Sequence, residues 1–149
     1  MARPFRLQLV LDLALQSVAA ATTELQRLRA QLNEAQSKLD QLQGYATEYS
    51  TALSARLAQG MPAHQLNDYC LFQGKLARAI QAQSEEADRR RHAWDEAHAR
   101  WLALRQRHQA LGVLAQRHAA AEALVEARRE QKEQDEFALK AVKEPPFRH

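Results

Sequence analysis

The chain has 149 residues, 46% of them hydrophobic but only 6% aromatic, with four Gly, four Pro and one cysteine. Ala, Leu, Gln, Glu and Arg abound, β-branched residues are scarce, and no segment alternates apolar and polar residues between turn signals. That composition excludes a compact α/β domain and fits long helices. Twenty-one basic against eighteen acidic residues leave a net charge of +3, too small an excess to demand nucleic acid or anionic lipid, and the lone Cys70 excludes an internal disulfide framework and fits a reducing compartment.

At the N-terminus Arg3 and Arg6 precede an apolar stretch, but Gln8, Asp12 and Gln16 interrupt it. It therefore does not read as a signal peptide, and no run in the chain is long enough for a membrane span. The expected location is cytoplasmic.

From Leu7 to Leu53 the apolar residues keep heptad spacing. With Leu25 at position a, the a sites are Leu11, Val18, Leu25, Leu32, Leu39, Ala46 and Leu53. The d sites are Leu7, Ala14, Ala21, Leu28, Ala35, Leu42 and Tyr49. All are apolar or aromatic, and the residues between them are mostly Gln, Glu, Arg, Lys, Thr and Ser. A repeat sustained over more than six heptads predicts a coiled-coil helix over about residues 4–58. Gly44 costs that helix roughly 1 kcal/mol.

The pattern breaks at Gln59-Gly60-Met61-Pro62. Gly60 suits the left-handed residue just past a helix end, and Pro62 suits the first position of a new helix. A turn over about residues 59–62 is so short that the second helix must fold back beside the first. The expected fold is all-α, a single domain of two long helices in an antiparallel coiled-coil hairpin.

The second helix is predicted over about residues 62–142, with a frayed tail over 143–149. Its apolar stripe reads Leu66, Tyr69, Phe72, Leu76 and Ala79, and resumes at Ala97, Trp101, Leu104, Leu111, Leu114 and Val125. Between Gln81 and Arg100 the stripe is poor, with Gln83, Glu86 and Arg90 near places where core residues are wanted. With the tip near residue 61, residue i faces roughly residue 122 minus i. Helix 2 then outruns helix 1 by about 20 residues, or roughly 30 Å at 1.5 Å per residue. Leu124, Val125, Phe137 and Leu139 on that overhang have no partner within the hairpin, which points to a docking element.

No two of the six histidines are three or four residues apart, so no helix face presents a histidine pair for a metal. Cys70 has no recognisable histidine partner, and there is no phosphate loop, nucleophile elbow or convergent acid pair. The sequence predicts no catalysis, no metal and no cofactor. From Arg89 to Arg129 nine arginines face four acids, with Trp94 and Trp101 among them. That pattern suits a solvated face with two tryptophans on the seam, an acidic protein partner, or nucleic acid. Near the tip, Tyr45 occupies a g position outside the seam that claims Leu42 and Tyr49. By the facing rule it shares a level with Phe72, Leu76 and Ala79, so a partly exposed aromatic cluster is expected there.

Four segments carry a family resemblance. Phe5-Arg6-Leu7 through Val10-Leu11-Asp12-Leu13-Ala14 resembles the opening of the flagellar FliJ family. So do Tyr45-Ala46-Thr47-Glu48-Tyr49, the run Asn67-Asp68-Tyr69-Cys70-Leu71-Phe72 leading to Leu76, Ala79-Ile80 and Gln83, and Glu126-Ala127-Arg128-Arg129-Glu130-Gln131-Lys132 with Asp135-Glu136-Phe137. Their order and spacing around Gly60 cover nearly the whole chain.

The resemblance implies a soluble component of the flagellar type III export apparatus, similar to the central stalk subunit of rotary ATPases. It implies three partners: the export ATPase hexamer, whose ring part of the coiled coil enters; the membrane export-gate protein; and export chaperones, which it helps to cycle. Membrane association would be peripheral, at the cytoplasmic face of the inner membrane and through partners only, and no nucleic acid is expected. Carried over by position, the gate-contact residues are Leu42, Tyr45, Tyr49, Phe72, Leu76 and Ala79. Cys70 departs from the family, where a polar residue is commoner, and Lys38 and Gln83 flank the patch at positions that vary. Similarity to a stalk assigns ATPase binding to the first turns of helix 1 and to Arg128, Arg129, Lys132, Asp135 and Phe137. A nucleic-acid-binding helical arm and a structural homodimer paired through helix 1 are the alternative readings.

Overall fold

The computed structural model describes residues 2–143, with side chains described from Arg6 onward. The expectations for the tail from Glu144 to His149 and for the Phe5 side chain fall outside them. The protein is all-α: helix α1 spans Ala2–Gln59 and helix α2 spans Ala63–Lys143, with no strand among the described residues. The two helices run antiparallel against each other, as the heptads of α1 and the short connection require.

By contacts the chain divides into a unit of residues 17–104 and a unit made of residues up to 16 with those from 105 onward. In the first unit, α1 buries its seam as its sequence dictates. Leu28, Leu32, Ala35, Leu39 and Leu53 are buried, and Val18, Ala21, Leu25, Leu42, Ala46 and Tyr49 are half-buried. The facing seam of α2 is Leu66, Tyr69, Gln73, Leu76, Ile80, Gln83, Ala87, Arg90, Trp94, Ala97, Trp101 and Leu104, every one buried or half-buried. Spacings of three and four alternate along it without interruption, which is a heptad repeat with Gln73 at a. This corrects the apolar stripe expected for helix 2. Phe72 is 47% exposed and Ala79 is exposed, because heptad phase gives their places to Gln73 and Ile80.

Polar residues also explain why the stretch from Gln81 to Arg100 reads poorly. Ala35, Leu39 and Ala87 form a buried cluster with Ile80 packed against it. Two alanines facing each other let the helices approach closely. Gln83 Nε2 can then donate to the Ala35 carbonyl of α1 at 3.0 Å. Two turns on, Arg90 Nη1 donates to Gln31 Oε1 at 2.9 Å, while its Nε donates to Glu86 Oε1 at 2.7 Å. Glu86 also accepts from Arg89 at 2.7 Å. Gln83 and Arg90 occupy d positions, and their polar ends are paired instead of stranded.

At the tip, Gly60 takes φ +91° and its N–H donates to the Leu57 carbonyl at 3.2 Å, closing α1. A Cβ there would meet open space, so backbone conformation, not crowding, selects glycine. The Pro62 carbonyl accepts from the N–H groups of Gln65 and Leu66 at 3.1 Å. The hydrogen-bond ladder of α2 therefore begins at Pro62, where a missing N–H costs nothing.

In the second unit Leu7, Leu11 and Ala14 of α1 are half-buried, as are His108, Leu111, Ala115 and His118 of α2, which continue the same heptad phase. Leu114 and Val125, expected on the stripe, are 53% and 55% exposed. Leu114 lies off phase. Val125 lies beyond His118, the last half-buried residue; every described residue from Ala119 to Lys143 is exposed. The a positions turn charged at the same point, reading Glu122, Arg129, Glu136 and Lys143.

Because burial is confined to the seam, Leu39→Ala is expected to cost about 2–3 kcal/mol, read as a lowered midpoint of urea unfolding. Leu57→Ala, at a site 47% exposed, is expected to stay within about 0.5 kcal/mol. Acid acts on the polar layer. Hydrogen bonds from Arg89 and then Arg90 hold the Glu86 carboxyl below its usual value of 4.5. A lowered folded-state pKa gives stability that is present above the unfolded value and lost as pH falls through the folded one. Thermal unfolding of the native chain should therefore weaken more steeply below about pH 4.5 than that of Glu86→Gln.

Candidate protein-binding surfaces

Two surfaces are built from side chains that the seam does not consume, one in each unit. The first lies near the tip. Tyr45 precedes the a residue Ala46, and Phe72 and Ala79 precede the a residues Gln73 and Ile80. All three are therefore g positions, and in an antiparallel pair the g positions of the two helices border the same side of the seam. Tyr45 is 59% exposed and Phe72 47%, and Ala79 is exposed. Leu42, Tyr49 and Leu76 are half-buried seam residues beneath them.

Ring contacts join part of this set. The Tyr49 ring lies 4.5 Å from Phe72 with planes inclined by 44°, and 5.0 Å from Tyr69 at 34°. Such tilted pairs add to area burial by letting ring edges meet faces. Arg56 sits over Tyr69, its guanidinium 6.0 Å from the ring centre. Desolvation, with Tyr69 and Asp68 nearby, pushes the Tyr49 phenol above its ordinary value, so it stays a neutral hydrogen-bonding group. The structure thus brings Tyr49 and Phe72 together and adds Tyr69, a seam residue outside the expected set. Tyr45 stands on the same flank as Phe72, outside these ring contacts. Cys70 is exposed.

The second surface is the stretch of α2 beyond His118. All five residues expected to meet the ATPase, Arg128, Arg129, Lys132, Asp135 and Phe137, are exposed. Arg128, Lys132 and Asp135 recur at i, i+4 and i+7 and share one stripe, whereas Arg129 and Phe137 lie off it. Local pairs hold some of these charges: Arg129 with Glu126 at 3.5 Å, and Gln131 donating to Asp135 at 3.0 Å. Apolar side chains stand among them, with Phe137 76%, Leu139 60% and Val142 79% exposed. An open groove of about 580 Å³ runs over His118, Ala119, Val125 and Arg129.

The tryptophans of the arginine-rich stretch belong to neither surface. Both Trp94 and Trp101 are a residues. Trp94 stacks on His98 at 4.8 Å, and His98 lies 5.8 Å from Trp101. Arg29 covers Trp94 at 5.4 Å, and Trp101 Nε1 donates to Thr22 Oγ1 at 2.9 Å. These rings are committed to the helix pairing, so the stretch presents arginines without the free aromatic faces that a base-stacking groove uses. His92 meets Glu96 at 3.2 Å and His118 meets Glu122 at 3.7 Å. Among the described residues no group of three or more His, Cys, Asp and Glu side chains could hold a metal ion. No described helix is long and apolar enough to cross a membrane.

No solved structure matches the chain. Relatives do. The chain is 31% identical to the flagellar FliJ protein of Salmonella typhi over 146 residues, 98% of this chain and 99% of that one. It is 30% identical to the flagellar FliJ protein of Escherichia coli (strain K12) over 135 residues, 91% of this chain and 92% of that one. The family model for the flagellar FliJ protein matches residues 3–145, as the four sequence segments lead one to expect, and the chain belongs to that family.

Proposed function

We propose that the protein is a non-catalytic stalk and adaptor of the flagellar type III export apparatus, peripheral to the cytoplasmic face of the inner membrane through its partners. In this reading the tip flank of Tyr45, Phe72 and Ala79, backed by Leu42, Tyr49 and Leu76, engages the membrane export-gate protein. The end of α2, through Arg128, Arg129, Lys132, Asp135 and Phe137, joins the export ATPase hexamer, and the assembled protein assists the cycling of export chaperones.

One observation carries the gate assignment: two large aromatic side chains, Tyr45 and Phe72, stay about half-exposed on one side of the seam although a pairing surface lies beside them. Helix packing engages Phe72 only through its ring contact with Tyr49, and exposed aromatics around a packed anchor are the make-up of a binding hot spot. For the ATPase end, the support is a helix whose a positions turn charged where its partner ends, leaving apolar and basic side chains without an internal use.

Two measurements check the reading. Tyr45→Ala combined with Phe72→Ala should weaken binding to the gate protein at least about tenfold, with helix content by circular dichroism and ATPase binding both unchanged. Unchanged gate binding would refute the patch. Conversely, reversing charge at Arg128, Arg129 and Lys132 with Glu should lower affinity for the ATPase and its salt dependence while sparing the gate. An ATPase affinity indifferent to all three reversals would remove the assignment of the α2 end.

A further inference from the structure

The a and d positions of α1 are apolar or aromatic from Leu7 to Leu53. Such a helix is competent to zip with a second copy of itself, or with α2 in a slipped register, because apolar seams discriminate poorly among partners. The facing seam of α2 is different, with Gln73, Gln83 and Arg90 where apolar residues would pack better. Two of these polar groups find a partner on α1: Gln83 on the Ala35 carbonyl at 3.0 Å and Arg90, which also pairs with Glu86 of its own helix, on Gln31 at 2.9 Å.

We infer that Gln83 and Arg90, with their α1 acceptors, select the register of the intramolecular pairing against one-heptad slips. Slipping one heptad one way sets Arg90 opposite Lys38, a like charge. Slipping the other way sets it opposite Glu24, a carboxylate able to accept from it as Glu86 accepts from two arginines, so selection against that slip falls to Gln83. In either slip Gln83 meets leucine, Leu28 or Leu42, and loses a partner that lies at Ala35 because two alanines, Ala35 and Ala87, bring the backbones close. The arrangement trades packing for uniqueness, since a polar residue at a seam position fixes register and oligomer state while weakening the helix pair.

The test replaces both side chains in the full chain, Gln83→Leu with Arg90→Leu. It reads three quantities: the unfolding temperature, the mass in solution by light scattering over a concentration series, and the distance distribution between spin labels at Asp40→Cys and Ala82→Cys in a Cys70→Ser background. The native pair is expected to give one mass and one distance. The double variant should unfold at the same temperature or about 2–6 °C higher and show a second distance population. An unfolding temperature equal or higher with a single distance would overturn the inference, leaving the layer as a cost with no selective role. A lower unfolding temperature would also overturn it, because the bonds would then act as net glue. A native chain already mixed in distance would do the same. The single variant Gln83→Leu, which keeps the Arg90 contact to Gln31, should give an intermediate second population, and its absence beside a large effect of Arg90→Leu would confine the role to Arg90.

Discussion

Among the described residues, burial in this protein rests on the seam between two helices. A globular core shares the cost of a poor residue among many neighbours, but here each turn has only the turn across from it. The alternation of three- and four-residue steps must therefore hold along both helices. It does so from Leu66 to His118 on α2, even where the residue supplied is glutamine, arginine or histidine. Phase decides burial, and hydrophobicity follows where it can. This is why Phe72, among the most apolar residues near the tip, stays half out in solvent while Gln73 turns in.

The same constraint connects pairing to binding. A seam two positions wide in each heptad leaves the flanking positions free, and side chains there are neither core nor plain solvated surface. Tyr45 and Phe72 use that latitude: Phe72 rests against the ring of Tyr49, and both stay about half-exposed. Beyond His118 every described residue is exposed, and the a positions carry charge while Val125 and Leu139 at d stay apolar. Pairing surface and proposed recognition surface are thus separated by heptad phase near the tip and by position along the chain on α2.

How much of this could be read from residues alone varied with the physics involved. The α1 repeat was legible throughout because every seam position is apolar, and the turn was legible because Gly60 and Pro62 have few other uses in sequence. On α2 apolarity misled. Phe72, Ala79 and Leu114 attracted the stripe by their chemistry, although the phase set by Leu66, Tyr69 and Leu76 runs through Gln73, Ile80 and Ala115. The stretch from Gln81 to Arg100 looked broken because hydrogen bonds across the seam, to a backbone carbonyl at Ala35 and to Gln31, carry no signature in a one-dimensional pattern. Extending the heptad strictly from Leu66 would have recovered the register. Tyr45 was visible as a g-position aromatic. Tyr69, a seam residue whose ring joins the cluster, was not, since ring orientation is a property of packing.

The bare final stretch of α2 has an energetic consequence of its own. Short helices without tertiary support are marginal in water, and their persistence rests on continuation from an ordered neighbour and on weak local pairs. From Ala119 onward the coil is seeded by the paired turns before it and reinforced by contacts such as Glu126 with Arg129 and Gln131 with Asp135. Protection of its amides against exchange with deuterium should fade progressively with distance from His118, whereas the turns facing α1 open only with the whole pairing. The protein therefore carries, in one uninterrupted helix, a gradient from cooperative to locally melting backbone, and a partner binding the far end as proposed would have to supply ordering that the near end receives from α1.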